Sequence, residues 1–222
     1  MNKSPITYLG ILVSYFSITG INLLFKQLYG DQLDDGPMIL KELLIFGMVG
    51  FLIWIVLKKE NRSLESIGLH GRKWKAAIGW GLVNVVVCFA LALGALFLAQ
   101  QLGWSYGDST AFDKLSLATI AFITLRAGIA EEVFMRGYLI ERLTEMTKNV
   151  YIACLLSLVP FALFHAWQGY AGVLISFVLG GYLTIIYVWR RDLKSNIITH
   201  FLVDFIPNVA LPLIGGTMSS EQ

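Results

Sequence analysis

No Asp, Glu, Lys or Arg occurs between Asn149 and Trp189. An apolar run of that length is not a soluble strand or core helix, whose outward face needs polar residues. It is long enough for two helices crossing a hydrocarbon core of about 30 Å, at about 20 residues each. A break between them is expected in the stretch from His165 to Gly172. Five further runs read the same way: Pro5 to Phe25, about Met38 to Leu57, about Ala76 to Gln100, one beginning near Leu115, and about Ser195 to Ile214. In lipid every backbone polar group must be satisfied within its own segment, so these runs are helices. Composition agrees, with 56% hydrophobic and only 14% charged residues against about a quarter charged in soluble chains. The expectation is an all-α, polytopic membrane helix bundle with about seven transmembrane helices, a single integral domain over residues 1–222.

Several classes fall away at once. A net charge of +2 gives no reason to expect a nucleic-acid partner. Cys88 and Cys154 sit inside apolar runs and make neither a disulfide framework nor a metal clip. The first run follows a lone Lys3 and lacks a small-residue cleavage pattern, so it reads as a retained helix. Basic residues crowd alternate loops: Lys58, Lys59, Arg62, Arg72, Lys73 and Lys75; Arg136, Arg142 and Lys148; Arg190, Arg191 and Lys194. The other side holds Lys26, Lys41 and Lys114 mixed with Asp31, Asp34, Asp35, Asp108 and Asp113. The positive-inside rule then places the amino terminus in the cytoplasm and the carboxyl terminus outside, in a cell membrane.

Charge inside the membrane is the informative exception. Arg126, Glu131, Glu132, Arg136, His165, His200 and Asp204 lie in or beside the last four runs. A charged group at the bilayer centre costs about 2.5–3.5 kcal/mol on insertion scales, so such groups are paired or functional. The centres of the first three runs carry none, which makes residues 1–114 scaffold and 115–214 the seat of any chemistry. Glu132 and Arg136 are four apart, as are His200 and Asp204, and Phe161 and His165, so each pair shares a helix face. Glu131 points about 100° from Glu132. One carboxylate can be neutralised by Arg136 while its neighbour faces a cavity, an arrangement that separates a structural acid from a catalytic one. Arg126, five residues before Glu131, falls on another face and reads as a snorkelling or packing residue. His70, in a basic loop, reads as solvated. Gly172, Gly180 and Gly181 read as close helix contacts, and Phe161 as a wall of the site.

Glu131, Glu132 and Arg136 form EExxxR, Phe161 and His165 form FxxxH, and His200 and Asp204 form Hxxx followed by Asp. In that order they resemble the motifs of the CPBP intramembrane proteases, the family of the CAAX prenyl endopeptidases and the bacteriocin-processing (Abi) proteins. The likeness covers about Leu115 to Ile214, with a weaker echo in Ser66 to Leu69. It implies an endopeptidase that hydrolyses a peptide bond of a membrane-associated peptide or protein, with Glu131 as the general base. By the same likeness His165, His200 and Asp204 either bind a divalent metal, zinc being the first candidate, or stabilise the reacting groups around a glutamate-activated water. Glu132 and Arg136 are supporting. Many members carry Asn where this chain has Asp204, and a carboxylate cannot donate to an oxyanion unless protonated. That difference favours a ligand or histidine-orienting role for Asp204. Short loops suggest a prokaryotic member, for which a peptide pheromone, bacteriocin leader or membrane-protein segment is the expected substrate ahead of a prenylated peptide. Two other classes fit intramembrane charge: a non-catalytic scaffold or immunity protein, and a proton-coupled transporter, the latter weakened by the lack of a visible repeat.

Overall fold

The computed structural model describes residues 5–70, 74–107 and 112–214. Lys3, Arg72, Lys73 and Asp108, which enter the charge pattern above, lie outside the described residues. Seven rods make up the described bundle, and no strand is found among these residues. They are α1 (Pro5–Tyr29), α2 (Asp35–Lys59), α3 (Trp74–Gln101), α4, α5 (Val150–Leu163), α6 (Gly169–Arg190) and α7 (Leu193–Ile214). The fourth rod, α4, runs from Leu117 through Glu131 as an α-helix, widens to a π-helix over Glu132–Ile140, and finishes as Glu141–Thr147. Five of the seven are long and apolar enough to cross a membrane. The exceptions, α4 and α5, are the charged rod and the short one.

Ser116 caps α4 by accepting from the Thr119 amide, and Asn149 caps α5 by accepting from the Tyr151 and Ile152 amides. Each relieves amides that a helix start leaves unpaired. With 14 residues, α5 extends only about 21 Å, short of the hydrocarbon thickness. Pro160 lies inside it and has no N–H for the carbonyl one turn earlier. That carbonyl, of Leu156, accepts instead from the Tyr15 hydroxyl on α1 at 2.9 Å. Beyond Phe164 the chain turns through His165 and a short 3₁₀ segment, Ala166–Gln168. It enters α6 at Gly169, whose φ of +75° is open to glycine. The break expected between His165 and Gly172 is therefore real, and it accounts for a path that two straight spans could not supply.

One end of the bundle is knitted by ions. Arg142 reaches Glu60 at 2.7 Å, Tyr138 donates to Glu60 at 2.9 Å, Arg62 reaches Glu145 at 2.8 Å, and Arg191 reaches Glu141 at 2.7 Å. Arg142 also donates to the Ser66 hydroxyl, and the Leu193 amide to the Gly68 carbonyl. The Ser66-to-Leu69 echo is thus a plug: Ile67 is fully buried, and Gly68, at φ +79°, lets Tyr187 approach so closely that a Cβ would clash. His70 beside it is half-buried with Nε2 covered, so it is not the solvated group its loop suggested. The main core packs Val13, Ile45, Val49, Leu52, Phe134 and Tyr138 between α1, α2 and α4.

Helix α7 starts inside the bundle. Leu193, Ser195 and Asn196 are fully buried, and the Leu193 side chain lies against Gly137 of α4. Further on, Phe201 packs on Gly128. The two rods run antiparallel in register, which brings His200 level with Glu131 and Glu132. That level is more than two helical turns along α4 from Glu141.

Candidate active site

Glu132 is fully buried and holds three partners. Its Oε1 accepts from Arg136 Nη1 at 3.0 Å and faces His200 Nδ1 at 2.9 Å, while Oε2 accepts from Asn196 Nδ2 at 3.2 Å. A carboxylate only accepts, so His200 carries its hydrogen on Nδ1. The same bond aims Nε2 at the other acids: Asp204 Oδ2 lies 3.5 Å away and Glu131 Oε2 3.9 Å away. The imidazole thus stands between the two neighbouring glutamates, each on a different ring nitrogen. Their 100° separation does not part them, because α7 packs into the angle between them.

Arg136 is shared as well. Its Nη2 donates to the Gly180 carbonyl at 3.0 Å, and its guanidinium lies over the Phe161 ring at 4.3 Å. Gly180 is required here: a Cβ would sit 2.9 Å from both Arg136 and Phe161. Phe161 in turn stacks near His165, ring centroids 4.9 Å apart. His165 bonds the Phe161 carbonyl through Nδ1 at 2.8 Å, which places the hydrogen on Nδ1 and the lone pair on Nε2. Glu131, Glu132, Arg136, His200 and Asp204 are therefore brought into direct contact, whereas His165 joins them through Phe161.

The surroundings of the two glutamates differ, as expected, but Glu131 is not charge-free. Arg126 Nη1 donates to Glu131 Oε1 at 3.1 Å. Five helical residues turn about 140°, and the long arginine side chain spans that angle. Arg126 is thus a partner of Glu131 and not the separate snorkelling residue its angular position suggested. The other flank of the same guanidinium binds Glu42 Oε2, and Lys41 Nζ lies 3.2 Å from Glu42 Oε1. Glu42 is fully buried on α2. A bare scaffold in the first three spans is thereby corrected: α2 supplies an acid to the site. Its place in the second apolar run marks Glu42 as a charge within a span, though not which residue it meets.

Two features border the cluster on the side away from the ionic end. The strap from Trp104 to Gly107 covers the His165–Gly169 turn, with Gly107 N–H donating to the Gln168 carbonyl at 2.7 Å and Tyr106 hydroxyl to Gln168 Oε1 at 3.1 Å. Burial first, then the Asp204 charge, pushes the Tyr106 phenol up, so it stays a protonated donor. Next to this strap lies an apolar groove of about 270 Å³ lined by Trp104, Val159, Ala162, Leu163, Tyr170 and Phe177.

A metal site needs three or more convergent ligands. Among the described residues no group of three His, Cys, Asp or Glu side chains is arranged to hold an ion. His165, His200 and Asp204 are not gathered into such a group, and His200 meets acids on both ring nitrogens. What the arrangement offers is an acid–imidazole–acid line inside the helix bundle. Its outer members Glu131 and Asp204 are partly exposed, at 13% and 37% of their side chains, and its inner member Glu132 is sealed.

No curated protein and no solved structure matches the chain. Residues 113–206 match the family model described as Rce1-like, type II CAAX prenyl endopeptidase. The resemblance of the three motifs to the CPBP intramembrane proteases holds over that stretch, which contains every residue of the acid–imidazole cluster except Glu42.

Proposed function

We propose that the chain is an intramembrane endopeptidase that cleaves a membrane-associated peptide with a water activated by Glu131. The observation that carries this reading is the juxtaposition of Glu131, His200 and Asp204 at one level. The 3.9 Å between Glu131 Oε2 and His200 Nε2 is too long for a direct hydrogen bond and suits a water touching both. Glu131 takes a proton from that water as its oxygen attacks the carbonyl carbon, then returns it to the leaving amine. His200, fixed by Glu132 and carrying a hydrogen on Nε2 as well, faces the developing oxyanion, and His165, held by the Phe161 carbonyl, borders the site as an acceptor. Glu132, neutralised by Arg136 and hydrogen-bonded by Asn196, orients His200 and exchanges no proton with substrate. Asp204 steadies the Nε2 side of His200. No step is routed through a metal.

The ionic end faces the cytoplasm under the positive-inside rule, which sets the cluster more than two helical turns below that surface. The matched family's name refers to prenylated substrates, and the apolar groove beside His165 has room for an apolar substrate portion. Bacteriocin leaders and peptide pheromones are the competing class. The test is a vesicle assay presenting a prenylated CAAX peptide and an unprenylated leader peptide, with new termini read by mass spectrometry. The wild-type protein is expected to release product, and His200→Ala to be slower by about 10²-fold or more per folded molecule. Wild-type rates in His200→Ala would overturn the reading. A chelator is expected to leave the rate unchanged; loss of activity restored by zinc would replace the metal-free mechanism with a metal-assisted one.

A further inference from the structure

A buried carboxylate on α2 has no place in the chemistry above, yet it is tied to the group that does the chemistry. Glu42 is fully buried in a segment that crosses the membrane, and Arg126 is 7% exposed. Insertion of each charge costs about 2.5–3.5 kcal/mol at the bilayer centre, so two such residues far apart in the chain are there as a unit. Their geometry shows what the unit does. The Arg126 guanidinium lies between two acids, its Nε bonded to Glu42 and its Nη1 to Glu131 Oε1 at 3.1 Å. The two nitrogens lie on opposite flanks of a rigid planar fork, so fixing one flank fixes the other.

We propose that Glu42 and Arg126 form a positioning clamp that holds Glu131 Oε1, leaving Oε2 aimed toward His200 as the oxygen that meets water. Arg126 and Glu42 act through Glu131 and are positioning residues. Lys41, 3.2 Å from Glu42 Oε1, completes the balance of two cations and two anions across Lys41, Glu42, Arg126 and Glu131. The clamp is a cross-link from α2 to α4. It makes the first half of the chain part of the active site through a contact outside the three family-like motifs. Without Arg126 the Glu131 carboxylate would rotate freely beside Glu132 and Asp204. Without Glu42 the guanidinium would lose its anchor and could collapse onto Glu131, occupying both oxygens. A displacement of about 1 Å at a reacting group can cost about 10²-fold in rate.

This clamp rests on Glu131 being the base, and the experiment separates the two ideas. Turnover of the prenylated and leader peptides is measured in vesicles for wild type, Glu42→Gln, Arg126→Met, Arg126→Lys, the Glu42→Gln/Arg126→Met double variant and Glu131→Gln, with the folded fraction taken from melting in detergent. Per folded molecule, kcat is expected to fall about 10-fold in Glu42→Gln and about 10²-fold in Arg126→Met, with KM within twofold of wild type. Arg126→Lys is expected to recover part of the loss. Adding Glu42→Gln to Arg126→Met is expected to cost nothing more, because the anchor has nothing left to hold. If both single variants keep wild-type kcat per folded molecule while Glu131→Gln is inactive, the clamp is wrong and the base assignment stands. The clamp is equally wrong if they alter only melting or only KM. If Glu131→Gln turns over normally, the base assignment itself fails, and the clamp with it.

Discussion

Two regions of this bundle are built from the same residue types and do different work. At the ionic end, Glu60, Arg142, Tyr138, Ser66, Glu141 and Arg191 are joined at 2.7–3.1 Å. Further along α4, His200 faces Asp204 and Glu131 at 3.5 and 3.9 Å, and the outer acids are partly exposed. The first network closes the Ser66–Leu69 loop onto α4. The second has one sealed member, Glu132, and a rim of longer contacts between partly exposed acids and His200. Tight saturation marks a clamp, and incomplete saturation at a fixed geometry marks a site that waits for a reactant.

Mutations can break that distinction from either side. The largest expected effect is on the sealed acid. Arg136→Met strands Glu132 with one cation partner fewer and is expected to destabilise the fold by about 3–5 kcal/mol, seen as a large drop in melting temperature in detergent. A stable Arg136→Met protein would deny that Glu132 is structurally sealed. Next, Arg142→Met is expected to cost about 3 kcal/mol of stability while activity per folded molecule stays within twofold. A selective loss of turnover there would make the ionic end part of the chemistry. Asp204→Asn should sharpen the contrast from the other side, lowering turnover by less than tenfold with little change in melting, since Asn retains an acceptor for His200. The smallest effect is expected where α1 meets α5. Tyr15→Phe removes the donor on the Leu156 carbonyl and should cost about 1 kcal/mol, with turnover unchanged.

Much of the fold was legible because hydropathy and the length of a membrane crossing are strong constraints. The runs from Pro5, Met38, Ala76 and Ser195 became α1, α2, α3 and α7 with ends shifted by a few residues. The break near His165 was legible from its polar and small residues. The shortness of α5 left a weaker mark: Pro160 removes an amide and Gly169 permits a left-handed turn, but neither fixes a helix length. The site was legible where it rests on four-residue spacing, as for Glu132 with Arg136 and His200 with Asp204. It was illegible where a long side chain overrules the angular position of its Cα, as for Arg126. The same holds where the partner comes from another rod, as for Glu42 and Asn196. Spacing along one helix reports which residues share a face, and nothing along that helix reports what packs into it.

In the proposed reaction Glu131, and not the adjacent Glu132, handles the proton of the attacking water. Turnover per folded molecule for Glu131→Gln, set beside its melting curve, tests it most directly. The account predicts a protein that melts near the wild type and releases no detectable product. A Glu131→Gln protein that is equally folded and cleaves at the wild-type rate would contradict it.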